Sequence, residues 1–170
     1  MHDPSPHKII QTVPERCRVC YTCVRECPAK AIRIIEGQAR VLHERCIGCG
    51  NCVRVCSQNA KQVVDTTPRV TKLLGREQPV AALVAPSFPA EFVDIPSDVL
   101  VGGLRRLGFR WVHEVSFGAD LVAREYRGLL AGNGERHIAT TCPAVVLYVE
   151  KYFPLLVDRL APIVSPMVAM

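Results

Sequence analysis

Eight of the nine cysteines in this 170-residue chain fall into two runs of identical spacing. Cys17, Cys20, Cys23 and Cys27 read C-x2-C-x2-C-x3-C, and so do Cys46, Cys49, Cys52 and Cys56. Aligning CRVCYTCVRECPAKAIRII with CIGCGNCVRVCSQNAKQVV sets each cysteine of the first run 29 residues ahead of its counterpart. Three thiolates at this spacing can wrap one face of an iron–sulfur cubane, while the fourth is carried off to a neighbouring cluster. The expectation is therefore two [4Fe–4S] clusters with crossed ligands. Cys17, Cys20, Cys23 and Cys56 would hold one, and Cys46, Cys49, Cys52 and Cys27 the other. The fourth cysteine of each run is expected to begin a helix that points away from its own three.

Other uses of cysteine fit less well. Zinc ribbons pair C-x2-C motifs but take four ligands per ion, and a third cysteine two residues on is unusual there. Structural disulfides do not persist in a reducing compartment. The N-terminal MHDPSPHKII has neither an apolar signal core nor a cleavage site, which points to a cytoplasmic chain, and the fragility of exposed clusters points to an oxygen-poor one. The longest apolar stretches are broken by proline or charge before reaching the roughly 18 residues a membrane span needs. The formal charge of +5 is spread without a basic stripe or interleaved aromatics, which argues against nucleic acid. Two clusters at about −2 each when oxidised would nearly cancel it.

These cysteines must be placed by short elements. The β-branched runs IRII (32–35) and QVV (62–64) follow the two motifs and read as strands. DTTPRVTKLLGREQP mixes proline, glycine and charge and reads as a linker, which divides the chain into residues 1–66, a linker at 67–79, and residues 80–170. Beyond it, VAALVAPSF (80–88) suits a fully buried parallel strand. SDVLVGGLRRLG (97–108) reads as a helix with Ser97 as its N-cap, RWVHEVS (110–116) as a strand, and GADLVAREYRGLLAGNG (118–134) as a helix stopped by Gly-Asn-Gly. RHIATTC (136–142) reads as a third strand, and AVVLYVEKYFPLLVDRL (144–160) as a helix broken at Pro154. The expected fold is an α+β cysteine-rich domain followed by an α/β domain with a parallel βαβαβα sheet. Ligands of such sheets sit at the carboxyl ends of the strands, where APSF (85–88) and TTCPA (140–144) lie. No glycine fingerprint for a nucleotide follows these strands. His113 and His137 read as ordinary strand residues.

With both motifs in view, residues 12–66 resemble a bacterial-type dicluster (2[4Fe–4S]) ferredoxin domain. The resemblance implies a pseudo-twofold fold of two ββα-like units. Pro28 matches the family's Cys-Pro, while Ser57 departs from it at the equivalent place. Gly48 and Gly50 would let backbone amides approach sulfide closely, and Tyr21 reads as packing over a cluster.

The second part resembles the [FeFe]-hydrogenase (iron-only hydrogenase large subunit) family. The stretches ALVAPSFPAEF, GFRWVHEVSFGADL, TTCPAVVLYVEKYFP and APIVSPMVAM carry that similarity in order across residues 80–170. The family's catalytic H-cluster joins a cubane to a two-iron unit through four cysteines. By resemblance, Cys142 matches the first of these ligands, and Pro86 and Ser87 match residues that contact the diatomic ligands of the two-iron unit. Thr141 stands where complete hydrogenases carry the proton-relay cysteine, and a hydroxyl relays protons poorly near neutral pH. That departure points to a divergent or sensory-type member. Cys142 is also the single cysteine outside the two motifs. The remaining H-cluster ligands, and with them a downstream catalytic or signalling domain, are expected beyond Met170, since APIVSPMVAM reads as a domain cut short. The expected function is electron transfer to an H-cluster domain, for hydrogen chemistry or sensing in a complete protein, with this chain inactive by itself. A redox-sensing or signalling input module, or a free-standing two-cluster carrier, is the alternative. A ferredoxin-like redox protein is the expected partner.

Overall fold

The computed structural model describes residues 8–132 and 134–170. Residues 1–7 of the first expected domain, and Asn133 of the Gly-Asn-Gly stop, lie outside the described residues. The described chain separates into two compact units, one of residues up to 65 together with 143–158, and one of residues 66–142 with 159–170.

The first unit is built twice. Strand β1 (Ile10–Thr12) pairs antiparallel with β4 (Lys61–Val63), and β2 (Ile32–Ile35) pairs antiparallel with β3 (Gln38–Val41). The 29-residue repeat maps one ladder onto the other, register included. Ile10 faces Val63 as Ala39 faces Ile34, and Thr12 faces Lys61 as Val41 faces Ile32. Each sheet thus joins a strand before one motif to a strand after the other.

Between the strands lie two four-residue helices, α1 (Thr22–Arg25) and α2 (Asn51–Arg54), at equivalent places in the repeat. The backbone specials repeat too. Val19 and Tyr21 adopt φ of +54° and +63°, where Gly48 and Gly50 adopt +68° and +74°. Lys30 and Asn59, at +46° and +50°, form a third such pair. Left-handed backbone favours glycine and is strained for a β-branched residue such as Val19. The first copy holds that strain where the second uses glycine, so the loop geometry is dictated by the cysteines rather than by local preference. One expectation needs correcting here. Each helix carries the third cysteine of its run, Cys23 or Cys52, and the fourth follows the helix end instead of opening it.

The second unit departs further from expectation. β5 (Ala81–Val84) and β6 (Trp111–Glu114) form a parallel pair, with Ala81 opposite Trp111 and Val84 opposite Glu114. β5 is covered on one face only, and Leu83 is 44% exposed. An apolar run alone cannot distinguish one-sided from two-sided burial. The expected third strand at 136–142 reduces to a single parallel bridge between Ile138 and Leu160. The ladder stops because the Thr140 N–H, which would extend it, donates instead to Tyr126 Oη at 2.8 Å. The region is therefore mixed α/β with a small parallel sheet.

The helices of this unit are α3 (Thr67–Leu74), α4 (Phe88–Glu91), α5 (Ser97–Arg106) and α6 (Val115–Leu130). α3 replaces much of the expected linker at 67–79. Pro68 sits in its first turn, where the missing N–H costs nothing, and Gly75 caps its end, so both residues bound a helix. In α5 the N-cap is Pro96, one residue ahead of the expected Ser97. No helix among the described residues is long and apolar enough to cross a membrane.

Val115, Gly118 and Val122 form the buried stripe of α6. A Cβ on Gly118 would stand 2.2 Å from the Pro166 carbonyl oxygen, a backbone atom that cannot swing aside, while Gly128 faces open space. Gly118→Ala is expected to cost about 1–3 kcal/mol through overpacking, and Gly128→Ala to gain up to about 1 kcal/mol of helix propensity. Chemical denaturation of the two variants, monitored by circular dichroism, checks the contrast.

Candidate functional site

The cysteines of the first unit are held by the repeat just described. Residues with positive φ turn the chain inside each C-x2-C-x2-C loop and deliver the third cysteine into a helix. All nine cysteines are free thiols. Cys23, Cys27 and Cys52 are buried within a core that also contains Ile10, Ala29, Ala31, Ile32, Ala39 and Ile47. Cys20 and Cys49 are exposed. Both halves also interlock through polar bonds that cross the repeat. The Arg18 N–H donates to Gln58 Oε1 at 2.8 Å, and Asn51 Nδ2 donates to the Glu26 carbonyl at 2.7 Å.

The cysteines fall into two neighbourhoods. Cys27, from the first run, lines a cavity together with Cys46, Cys49 and Cys52 of the second, floored by Ile10, Ala31 and Ile32. It encloses about 330 Å³ of empty space, open solvent at its mouth included. Cys23 has Cys17, Cys20 and Cys56 as its electrostatic neighbours, the last from the second run.

The thiols differ by environment. Burial pushes Cys52 up to about 11, against the pull of the Lys61 ammonium, and raises Cys23 for the same reason. Cys56 is also raised by burial, but N–H groups of Lys61, Ala60 and Gln58 outweigh that and leave it lowered. The Thr22 hydroxyl and N–H lower Cys20. Metal binding would replace the protons on the buried pair outright, since a coordinating thiol is deprotonated.

This donor set fits iron–sulfur clusters. The sulfurs receive backbone N–H groups at matched places, Ala31 to Cys27 Sγ and Ala60 to Cys56 Sγ, each at 3.3 Å, and Gly48 to Cys46 Sγ at 3.4 Å. Such bonds to sulfur tune and hold a cluster. Among the described residues no three ligand-type side chains converge on one ion position. A cubane asks for a wider set, one thiolate at each of four irons. Tyr21 is 51% exposed, and its φ of +63° starts α1, so it is a turn residue before it is a packing one.

A further element stands against this cysteine-rich core. Helix α7 (Pro143–Tyr152), followed by a 3-10 turn at Pro154–Arg159, groups with the first unit although the sequence placed it in the hydrogenase-like part. The break at Pro154 is where expected. Ala144, Leu147, Tyr148 and Tyr152 pack on the cysteine core. Lys151 Nζ donates to the Cys46 carbonyl at 2.8 Å. Tyr152 Oη stands 2.6 Å from the Ala29 carbonyl and 3.1 Å from that of Arg45, whose guanidinium lies over its ring. These carbonyls flank Cys27 and Cys46, so α7 braces the loops that present both. No spacing signal in the sequence reveals this, because the contacts join residues more than 100 positions apart.

The remaining candidates lie in the second unit. Pro86, Ser87, Thr141 and Cys142 are all exposed, and among the described residues no hydrogen bond joins them. Ser87 heads α4 without a side-chain cap bond. The neighbouring Thr140, which motif matching passed over, is the structurally committed residue of the pair. Its hydroxyl meets Tyr126 Oη at 3.1 Å and donates to the Ile163 and Ala161 carbonyls at 2.5 and 3.2 Å. Nothing in the Thr-Thr pair shows which hydroxyl is partly buried and bonded. His113 is exposed, and His137 carries a buried Nδ1 without a hydrogen-bond partner among the described residues.

Tyr152→Phe removes the hydroxyl that α7 offers to two carbonyls. The variant is expected to lose about 1–2 kcal/mol of stability and to release the amides of α7 to hydrogen exchange, while amides of α6 keep their protection. Exchange mass spectrometry checks both.

Comparison with known families agrees with this geometry. Residues 9–57 match the 4Fe-4S dicluster domain, whose eight cysteines imply two [4Fe–4S] clusters. Residues 78–170 match the family described as iron only hydrogenase large subunit, C-terminal domain. That match covers more than half of the chain, and the chain belongs to the iron-only hydrogenase large subunit family, with a dicluster domain ahead of its hydrogenase-like part.

Proposed function

We propose that this chain is an electron-transfer module that feeds a hydrogenase-like H-cluster domain. The observation that carries the reading is the meeting of Cys27 with Cys46, Cys49 and Cys52 around one cavity, across the repeat. On this reading Cys46, Cys49, Cys52 and Cys27 hold one cluster, and Cys17, Cys20, Cys23 and Cys56 the other. Clusters held there would supply one-electron transfer. The protein's part is to hold the eight thiolates, to supply N–H groups to their sulfurs, and to keep water from the buried side of each cluster. Docked over Cys27 and Cys46, α7 begins directly after Cys142, so one rigid helix follows the residue that resembles the first H-cluster ligand.

Cys142 supplies one of the four thiolates that an H-cluster takes in this family. Pro86 and Ser87 would contact the two-iron unit, and Thr141 stands at the proton-relay position. Hydrogen chemistry then needs further cysteines from additional polypeptide, a downstream catalytic or signalling domain. The exposed apolar side chains Phe117, Val164, Met167 and Val168 would offer it apolar contact. Electrons would come from, or go to, a ferredoxin-like partner in the cytoplasm. Thr141 also favours a second reading, a redox or hydrogen-sensing input module, because a hydroxyl in place of a thiol slows proton relay.

Cys27→Ser is expected to strip the iron of the cluster that the second run forms, and to loosen both halves. Iron and sulfide analysis of the purified variant checks it, and a full iron complement would overturn the crossed assignment. The 170-residue chain is expected to reduce no viologen dye under hydrogen. Dye reduction by this chain alone would contradict the cysteine accounting.

A further inference from the structure

The repeat is broken in one informative place. In the β2–β3 ladder Ile32 faces Val41, an apolar pair. The equivalent pair in the β1–β4 ladder is Lys61 facing Thr12. Ile32 is 4% exposed and Lys61 only 2%, so a cation occupies a core position that the first copy gives to a hydrocarbon. Lys61 is the one buried charged side chain among the described residues. Its Nζ donates to Thr12 Oγ1 and to the Ala39 carbonyl, both at 2.5 Å, and Thr12 Oγ1 donates to that same carbonyl at 2.6 Å. Both acceptors of the ammonium are neutral.

Taking an ammonium out of water is costly unless an opposite charge lies close by. The acidic groups whose field Lys61 shares are cysteines, and they come from both neighbourhoods: Cys23 in one and Cys52 in the other. Its main-chain N–H also points to the Cys56 thiol. The side chain is therefore anchored to both sheets, and its field reaches cysteines of both sets.

We propose that Lys61 is an electrostatic positioning residue for both clusters, a buried cation that supplies their shared counter-charge and raises the reduction potential of each. This rests on the two-cluster reading above. The direction follows from charge. A one-electron reduction adds a negative charge to a cluster that is already anionic, and a fixed cation in a low-dielectric core favours the more negative state. Because Lys61 addresses both sets, it lifts the two potentials together, which suits a wire whose clusters must pass electrons in sequence. A hydrogen-bonding role alone would fix Thr12 and Ala39 but leave the potentials where they are.

Lys61→Met restores the apolar character of the first copy, Lys61→Gln keeps a hydrogen-bond donor without the charge, and Lys61→Arg keeps the charge. Iron and sulfide content is measured first, then both midpoints by mediated redox titration with electron paramagnetic resonance detection. In the neutral variants both midpoints are expected to move to more negative potential, so that a smaller fraction of each cluster is reduced at a fixed solution potential. The arginine variant is expected to stay near the parent. If neither neutral variant assembles clusters but arginine does, the need for a counter-charge is supported. Neutral variants that hold two clusters at the parent's midpoints would overturn the proposal alone. So would failure of all three variants to assemble, since the side chain's shape rather than its charge would then be required. A parent without two clusters would overturn the two-cluster reading along with it.

Discussion

Eight thiols have to be gathered by a short stretch of chain, and on the proposed crossed ligation each set of four draws on both ends of that stretch. Twofold repetition of the backbone meets this constraint, and most of the first unit follows from it. The ladders β1–β4 and β2–β3 share one register because each joins the flank of one motif to the flank of the other. The left-handed residues recur at the same three places, two inside each cysteine loop and one just past the fourth cysteine, even where the first copy has only valine, tyrosine and lysine. The core is accordingly sparse, made of alanine, isoleucine and cysteine, and a core of that kind owes its stability to what the sulfurs bind.

Two roles then separate along the chain. The first unit carries a complete pair of cysteine sets, and α7 braces the set containing Cys27 and Cys46 through Lys151 and Tyr152. In the second unit the committed polar group is Thr140, tied into Tyr126 and the 161–163 carbonyls, while Thr141 and Cys142 beside it are exposed. Membership of the hydrogenase family thus coexists with a dicluster domain whose eight cysteines imply two [4Fe–4S] clusters.

How much of this the sequence disclosed depended on the range of each interaction. Cysteine spacing is local, so both motifs and their 29-residue offset were plain, and the β-branched runs at 32–35 and 62–64 located β2 and, one residue late, β4 (61–63). The crossing of Cys27 to the second run came from the logic of cluster ligation, and the cavity they share lends it geometry. Long-range features were hidden. Nothing in AVVLYVEKYF says that the helix will leave its neighbours and cover the cysteine core. The third strand was lost to a single competitor, the Tyr126 hydroxyl, for the Thr140 N–H. Nothing in the sequence marks Lys61; only its pairing with Thr12, where the other ladder has the apolar Ile32–Val41 pair, sets it apart.

The proposed electron path requires two clusters lying close together in one folded unit. Electron paramagnetic resonance of the anaerobically purified, fully reduced protein, integrated against its iron content, tests this most directly. The expected spectrum is that of two half-integer-spin [4Fe–4S] centres broadened by their mutual magnetic coupling, with about two spins per chain. A single uncoupled signal, or a chain that folds around zinc and gives no signal, would contradict it.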